Sequence, residues 1–333
     1  MNSYDIYGVG NALVDIQVQV AAQFLSDHKI DKGVMTLVSA EQQSELLAQL
    51  DHLPRQTSSG GSACNTVVGV ANYGGSAYYA GKVGDDQFGT FYQNELKELG
   101  IRSDLDPATG STGTVLVLIT PDADRTMLTC LAESLKLGAA DIMELHVKSS
   151  RYVYVEGYLW DAMGPREASI KAMELGRKHG ATVAFTYSDP FCVQRAAGDF
   201  RELSKSSADL IFCNEEEAKM IAEVDVATDA CLAIASWGPK VFMTVGPKGA
   251  YYAEGDRIEH IPGFPATAID TTGAGDLFAG GVLYGLSSGH TPLESGRLGS
   301  YAASLVVAQV GARLPQRLNE AVSEILASRT AGA

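Results

Sequence analysis

"RYVYVEGYLWDAMGPREASIKAMELGRKHGATVAFTYSD", residues 151–189, is the stretch on which the fold turns. RYVYVEG (151–157) and ATVAFTYSD (181–189) are short runs rich in β-formers. Between them PREASIKAMELGRKHG (165–180) has helical spacing and closes on Gly180, a residue suited to a helix C-terminus. Strand and helix signals alternate in this way from about residue 60, with further strand runs at ADLIFCN (208–214) and KVFMTVG (240–246). That alternation predicts an α/β fold: a central, mostly parallel sheet flanked by helices.

Two regions break the rhythm. VDIQVQV (14–20) sets Val14, Ile16, Val18 and Val20 against Asp15, Gln17 and Gln19, the pattern of a half-exposed strand. TGTVLVLITPDADRTMLTCL (112–131) reads as a hairpin around Pro121-Asp122-Ala123-Asp124. Together with GVMTLVS (33–39) these predict a small extra β-sheet, built from two segments at approximately 13–59 and 105–132. A lid over an active site is the functional reading; an edge extension or dimer surface is compatible with it. PLESGRLGSYAASLVVAQV (292–310) and LPQRLNEAVSEILAS (314–328) have helical spacing. With no internal repeat and no low-complexity linker, residues 1–333 read as one core with an inserted lid.

Forty acidic against 25 basic residues give a net charge of -15, which repels a polyanionic backbone, so no nucleic-acid partner is expected. The apolar runs fall short of the ~20 residues a membrane span needs, and MNSYDIYGVG is not a signal peptide. No membrane partner and a cytoplasmic location are expected. Five scattered cysteines without a C-x-x-C pair point to buried reduced thiols. Nothing here separates a monomer from a homodimer.

YDIYGVGNALVD (4–15) is not a dinucleotide fingerprint, because Leu13 occupies the third glycine position and a strand pattern follows. No Walker-type P-loop occurs either. IDTTGAGDLFAGG (269–281) is more informative. Gly273, Ala274 and Gly275 place unpaired backbone N–H groups at the mouth of a helix, a ready anion site. The glycine-dotted helix that follows would have to pack closely on a sheet. Asp276, in its first turn, could be a catalytic base or a capping acid, and the residues alone leave both open.

DTTGAGDLFAGG resembles the C-terminal signature of ribokinase-like (PfkB-type) carbohydrate kinases. SSGGSACNTVVGVANYGG (58–75), NEEEA (214–218) and TVGPKGA (244–250) are similar to that family's glycine-pair, N-x-x-E and nucleotide-phosphate motifs, in the same order. The resemblance implies a ribokinase-like fold and phosphoryl transfer from ATP with Mg2+, Asp276 being the catalytic base and Gly273, Ala274 and Gly275 the anion hole. It makes Gly60 and Gly61 the hinge between lid and core, close to the substrate, and gives Asn65 a substrate hydroxyl. Asn214, Thr244 and Gly246 would bind ATP. Glu217 would hold magnesium through water, as a hard cation prefers. A monovalent cation such as K+ near Asp270 and Thr271 is left open, with turn-shaping the other role for Asp270.

Within the family, GVGNALVDI (8–16), SDPF (188–191) and RLGSYAASLVVAQVGARLP (297–315) look most like the adenosine-kinase branch. That similarity puts Asn11 and Asp15 on a ribose diol and the 5'-hydroxyl of a nucleoside, adenosine first, at Asp276. Met35 departs from a glutamine found near the purine in that branch, and a thioether cannot pair with a base edge. A sugar kinase acting on ribose, fructose or a 2-keto-3-deoxy sugar acid is the alternative. A non-catalytic nucleoside or sugar sensor is a more distant one.

Overall fold

The computed structural model describes residues 3–105, 107–122 and 124–327. Among these, the strands in chain order are Tyr4–Val9 (β1), Leu13–Gln19 (β2), Met35–Leu37 (β3), Arg55–Gly60 (β4), Ala77–Ala80 (β5), Arg102–Ser103 (β6), Gly113–Ile119 (β7), Arg125–Cys130 (β8), Ser150–Glu156 (β9), Thr182–Thr186 (β10), Leu210–Asn214 (β11), Lys240–Thr244 (β12), Gly249–Glu254 (β13) and Arg257–Pro262 (β14). β9 and β10 run parallel from Tyr152 beside Thr182 to Glu156 beside Thr186, and the helix Met163–His179 crosses between them. Gly180 ends that helix at φ 77°, a left-handed cap that glycine adopts without a Cβ clash.

Nine strands form the main sheet in the order β14-β13-β12-β11-β10-β9-β1-β5-β6. From β12 to β6 all neighbours are parallel, and β13 and β14 add an antiparallel edge. A parallel sheet is covered on both faces, so its strands are apolar on both sides. Val153, Val155, Val183, Phe185 and Ile211 fill one core layer, while Ile6, Tyr154, Ala184, Phe212 and Phe242 fill the other.

The second sheet has the order β3-β8-β7-β2-β4 and comes from the two expected segments. Its registers place Asp15, Val115, Thr129 and Leu37 in one row, and Gln17, Val117, Met127 and Met35 in the next. Ile16, Val18, Leu116, Leu118 and Leu128 point to the other face and pack with Leu25 and Leu50. The polar side of β2 is not the solvated face its alternation predicts. Gln17 is 8% exposed and only Gln19 is open to solvent, because Asp15 and Gln17 face the cavity between the two sheets. In the hairpin turn, Ala123 lies outside the described residues.

Two helical expectations change. Leu314–Leu318 is not helical: Leu318 N–H donates to Asn72 O at 2.7 Å and Arg317 Nη1 to Ala71 O at 2.6 Å, capping the helix Ser62–Asn72. A 3₁₀ turn at Asn319–Ala321 leads into an α-helix at Val322–Ala327, and Ser328 lies outside the described residues. The helix Ala274–Ser287 does pack on the main sheet, through Phe278, Ala279 and Val282, but its glycines make their close contacts with other helices. A Cβ on Gly280 would sit 2.9 Å from Gly69 Cα, and one on Gly281 would sit 2.6 Å from Gly299 N. All five cysteines are buried and free. No helix among the described residues is long and apolar enough to cross a membrane.

Candidate active site

In a parallel sheet, ligands bind beyond the carboxyl ends of the strands. Here Glu156, Thr186, Asn214 and Thr244, which end β9, β10, β11 and β12, face the inner side of the small sheet across a cavity of about 590 Å³. Asn11, Asp15, Gly61, Asn65, Asn214, Glu217, Thr244, Gly273, Ala274, Gly275 and Asp276 all line it. Gly60 and Gly246 do not. Gly60 lies behind Asp15, where a Cβ would come within 2.7 Å of the carboxylate, and Gly246 sits in the loop after β12.

Gly273 adopts φ 77° at the N-cap of Ala274–Ser287, tight against Ala312. The Ala274 N–H is taken by Thr271 O at 3.2 Å and the Leu277 N–H by Gly273 O at 2.8 Å. Of the N–H groups from Gly273 to Asp276, only that of Ala274 has an acceptor among the described residues, so those of Gly273, Gly275 and Asp276 stay available to a ligand. No side chain stands over Gly275, where a Cβ would meet open space.

Asp276 is fixed by a second helix start. Ser62 Oγ donates to its Oδ1 at 2.7 Å and Asn65 Nδ2 to its Oδ2 at 2.9 Å. Both donors lie in the first turn of Ser62–Asn72, whose N-cap is Gly61 at φ 94°. A Cβ on Gly61 would fall 2.1 Å from Asn11 O, so the close approach itself demands glycine. Enclosure raises the Asp276 carboxyl above its usual range, while the two hydrogen bonds and Arg313 pull it back.

Three charged side chains in this wall were not anticipated. Arg313 Nε donates to Asn65 Oδ1 at 2.9 Å, and its other nitrogens reach Ser59 Oγ, Glu95 Oε1 and Cys64 Sγ. The Asn65 amide is thus engaged at both ends, by Asp276 and Arg313. Glu156, 1% exposed, accepts from Asn11 N at 2.8 Å, Ala63 N at 2.6 Å and Asn11 Nδ2 at 3.2 Å. Burial pushes its carboxyl up to about 7 despite these donors. On the small sheet Arg125 pairs with Asp270. Asp15 faces the cavity from the same sheet, raised to about 6 by burial against the opposing pull of Arg313 and Arg125.

At the other end of the cavity Asn214 and Glu217 form a reciprocal capping box. Glu217 is buried, unlike its exposed neighbours Glu215 and Glu216, and burial pushes it up to about 7. Its two oxygens accept from Asn214 N at 2.9 Å and Nδ2 at 2.7 Å. A carboxylate has about four acceptor sites, so capacity remains for waters of a hydrated magnesium ion. The residues fit a water-mediated contact. No group of three metal-ligating side chains occurs among the described residues.

Residues 30–318 match the pfkB family of carbohydrate kinases. This chain belongs to that family. Two solved structures align with this pfkB kinase over nearly its whole length. A probable sugar kinase from Rhizobium etli CFN 42 is 36% identical, with TM-score 0.90, over 97% of this chain and 99% of that one. The adenosine kinase from Sinorhizobium meliloti is 35% identical, with TM-score 0.89, over 96% and 99%. The adenosine kinase of Saccharomyces cerevisiae is 27% identical over 330 residues, 92% of this chain and 96% of the yeast protein. This pfkB kinase is a phosphotransferase with an alcohol acceptor, and the family implies ATP as its co-substrate.

Proposed function

We propose that this pfkB kinase transfers the γ-phosphoryl group of ATP to the 5'-hydroxyl of a nucleoside, with adenosine the first candidate. The observation that carries this reading is the inner face of the small sheet. Leu13, Val115, Val117 and Met127 line the cavity there, continued by Met35 and Leu37 at the edge. An apolar slot of this kind suits a flat base, whereas a free sugar asks for polar groups around its whole ring. Asp15, in the adjoining position on the same face, offers an ionised carboxylate to two neighbouring hydroxyls.

The small sheet then acts as a lid hinged at Gly60 and Gly61, and its closure excludes water. Asp276 accepts the proton of the attacking hydroxyl. The N–H groups of Gly273, Gly275 and Asp276 stabilise the transferring group. Asn65 and Ser62 hold the Asp276 carboxylate, and Glu156 holds Asn11 toward the acceptor. Asn214, Thr244 and Gly246 form the ATP side. Glu217 would hold magnesium through water, and the bound ion would neutralise charge on the phosphates.

The test is an ADP-release assay across nucleosides and free sugars. Turnover is expected with adenosine or a related nucleoside; turnover with sugars alone would replace this reading by a sugar kinase.

The Asp15 carboxyl, raised to about 6, gives the acceptor site a pH signature. Lowering the pH protonates it and removes an acceptor, so the nucleoside KM should climb below pH about 6. In Asp15→Asn the KM is high and flat with pH, while kcat keeps the wild-type profile. A KM that still rises with acid in that variant would take Asp15 off the diol.

A further inference from the structure

The pfkB resemblance offers the Asp270 carboxylate to a monovalent cation. In this chain that carboxylate is already occupied. Its Oδ2 accepts from Arg125 Nη1 and from Gly311 N at 2.7 Å, and its Oδ1 accepts from Thr272 N at 3.0 Å. Arg125 Nη1 donates as well to Thr272 Oγ1 at 2.9 Å. The ion pair is withdrawn from solvent, with side-chain exposures of 12% for Arg125 and 4% for Asp270. A buried carboxylate needs a counter-charge, and a guanidinium supplies one that is always ionised and fixed in geometry. A metal ion placed on the same oxygens would face that charge.

We propose that Arg125, delivered by the small sheet, is the resident cation of the Asp270 turn, so that phosphoryl transfer here requires no monovalent metal ion. The pairing joins two parts of the catalytic frame. Asp270 braces Thr272, directly before the anion turn, and Gly311, beside the Ala312 that packs on Gly273. Among the described residues Arg125 Nη2 is buried without a partner, in a side chain that lines the cavity with Thr271 to Gly275. Arg125 is therefore a positioning residue, acting through Asp270 and Thr272. The inference rests on phosphoryl transfer at the Asp276 turn and not on the identity of the acceptor.

Purified protein is assayed, with whichever acceptor turns over, in potassium, sodium or N-methylglucammonium chloride at one ionic strength. Turnover should agree across the three salts to within about twofold, and Arg125→Ala should lose on the order of 10² in kcat. Added guanidinium or potassium should recover part of that loss, while sodium at the same ionic strength should not. Thermal melting is the second readout and needs no acceptor: the wild-type midpoint should be the same in potassium as in N-methylglucammonium. Activation of the wild type by potassium beyond about tenfold, or a potassium-specific rise in its melting midpoint, would overturn the proposal. Full turnover of Arg125→Ala in metal-free salt would do the same. If no acceptor is found, the nucleoside reading fails while the melting comparison still decides this one.

Discussion

Asp276→Asn should lower kcat on the order of 10²–10⁴ with the fold intact. The substitution is close to isosteric, and the local hydrogen bonds can survive it. The new amide oxygen can accept from Asn65 Nδ2, and the new amide nitrogen can donate to Ser62 Oγ once that hydroxyl turns from donor to acceptor. What disappears is the capacity to take a proton. KM values for ATP and acceptor should change little, because the lost interaction belongs to the transition state. Circular dichroism and the melting midpoint verify folding. Near-normal turnover in that folded variant would end the assignment of Asp276 as base.

The second large effect is on stability. Arg313→Met removes the guanidinium that joins Asn65, Ser59, Glu95 and Cys64, side chains that lie about 218–254 residues away in the chain. Its side chain is 11% exposed. Deleting the guanidinium leaves the Asn65 and Glu95 oxygens facing it without their donor, although each keeps its other partner, at a cost of about 1–3 kcal/mol. Chemical denaturation should therefore show a clearly lower midpoint. Activity should fall as well, since Asn65 loses the contact that orients it toward Asp276. Arg313→Lys should recover little, because an ammonium cannot span the same set of acceptors. An unchanged denaturation midpoint for Arg313→Met would refute this account of the wall.

Features written locally were legible in the sequence. The β9–helix–β10 unit announces itself by a change of period and by Gly180, and β2 by strict alternation from Val14 to Val20. The anion turn and Asp276 lie within one short motif. The second layer was not legible, since Glu156, Arg313 and Arg125 are single charged residues without a local pattern. Their partners lie across the fold: Glu156 meets Asn11 across 145 positions, and Arg125 meets Asp270 across another 145. Glu156 carried a faint signal, an acid at the carboxyl end of a buried strand just before Gly157. The solvated polar face expected for β2 went wrong because alternation reports two unlike faces without saying what covers the polar one. Gln17 and Asp15 face a cavity there. The Ala274–Ser287 glycines were read as helix-on-sheet packing because close approach looks the same from sequence whichever element comes near.

The way the small sheet joins the rest of the chain restricts how it can move. The polypeptide crosses between the two bodies four times, next to Leu13, Gly60, Gly113 and Cys130, and the registers set all four along one border: Leu13 beside both Gly60 and Gly113, with Cys130 opposite Thr114. A plate fastened at four points in a line behaves like a door on a long hinge, able to swing but resisting sliding and twisting. If the small sheet is the lid proposed above, Asp15 and Arg125 ride on that door, so the proposed acceptor end and phosphate end of the cavity would open and shut in a single stroke, and neither substrate would meet its half of the site without setting the other half.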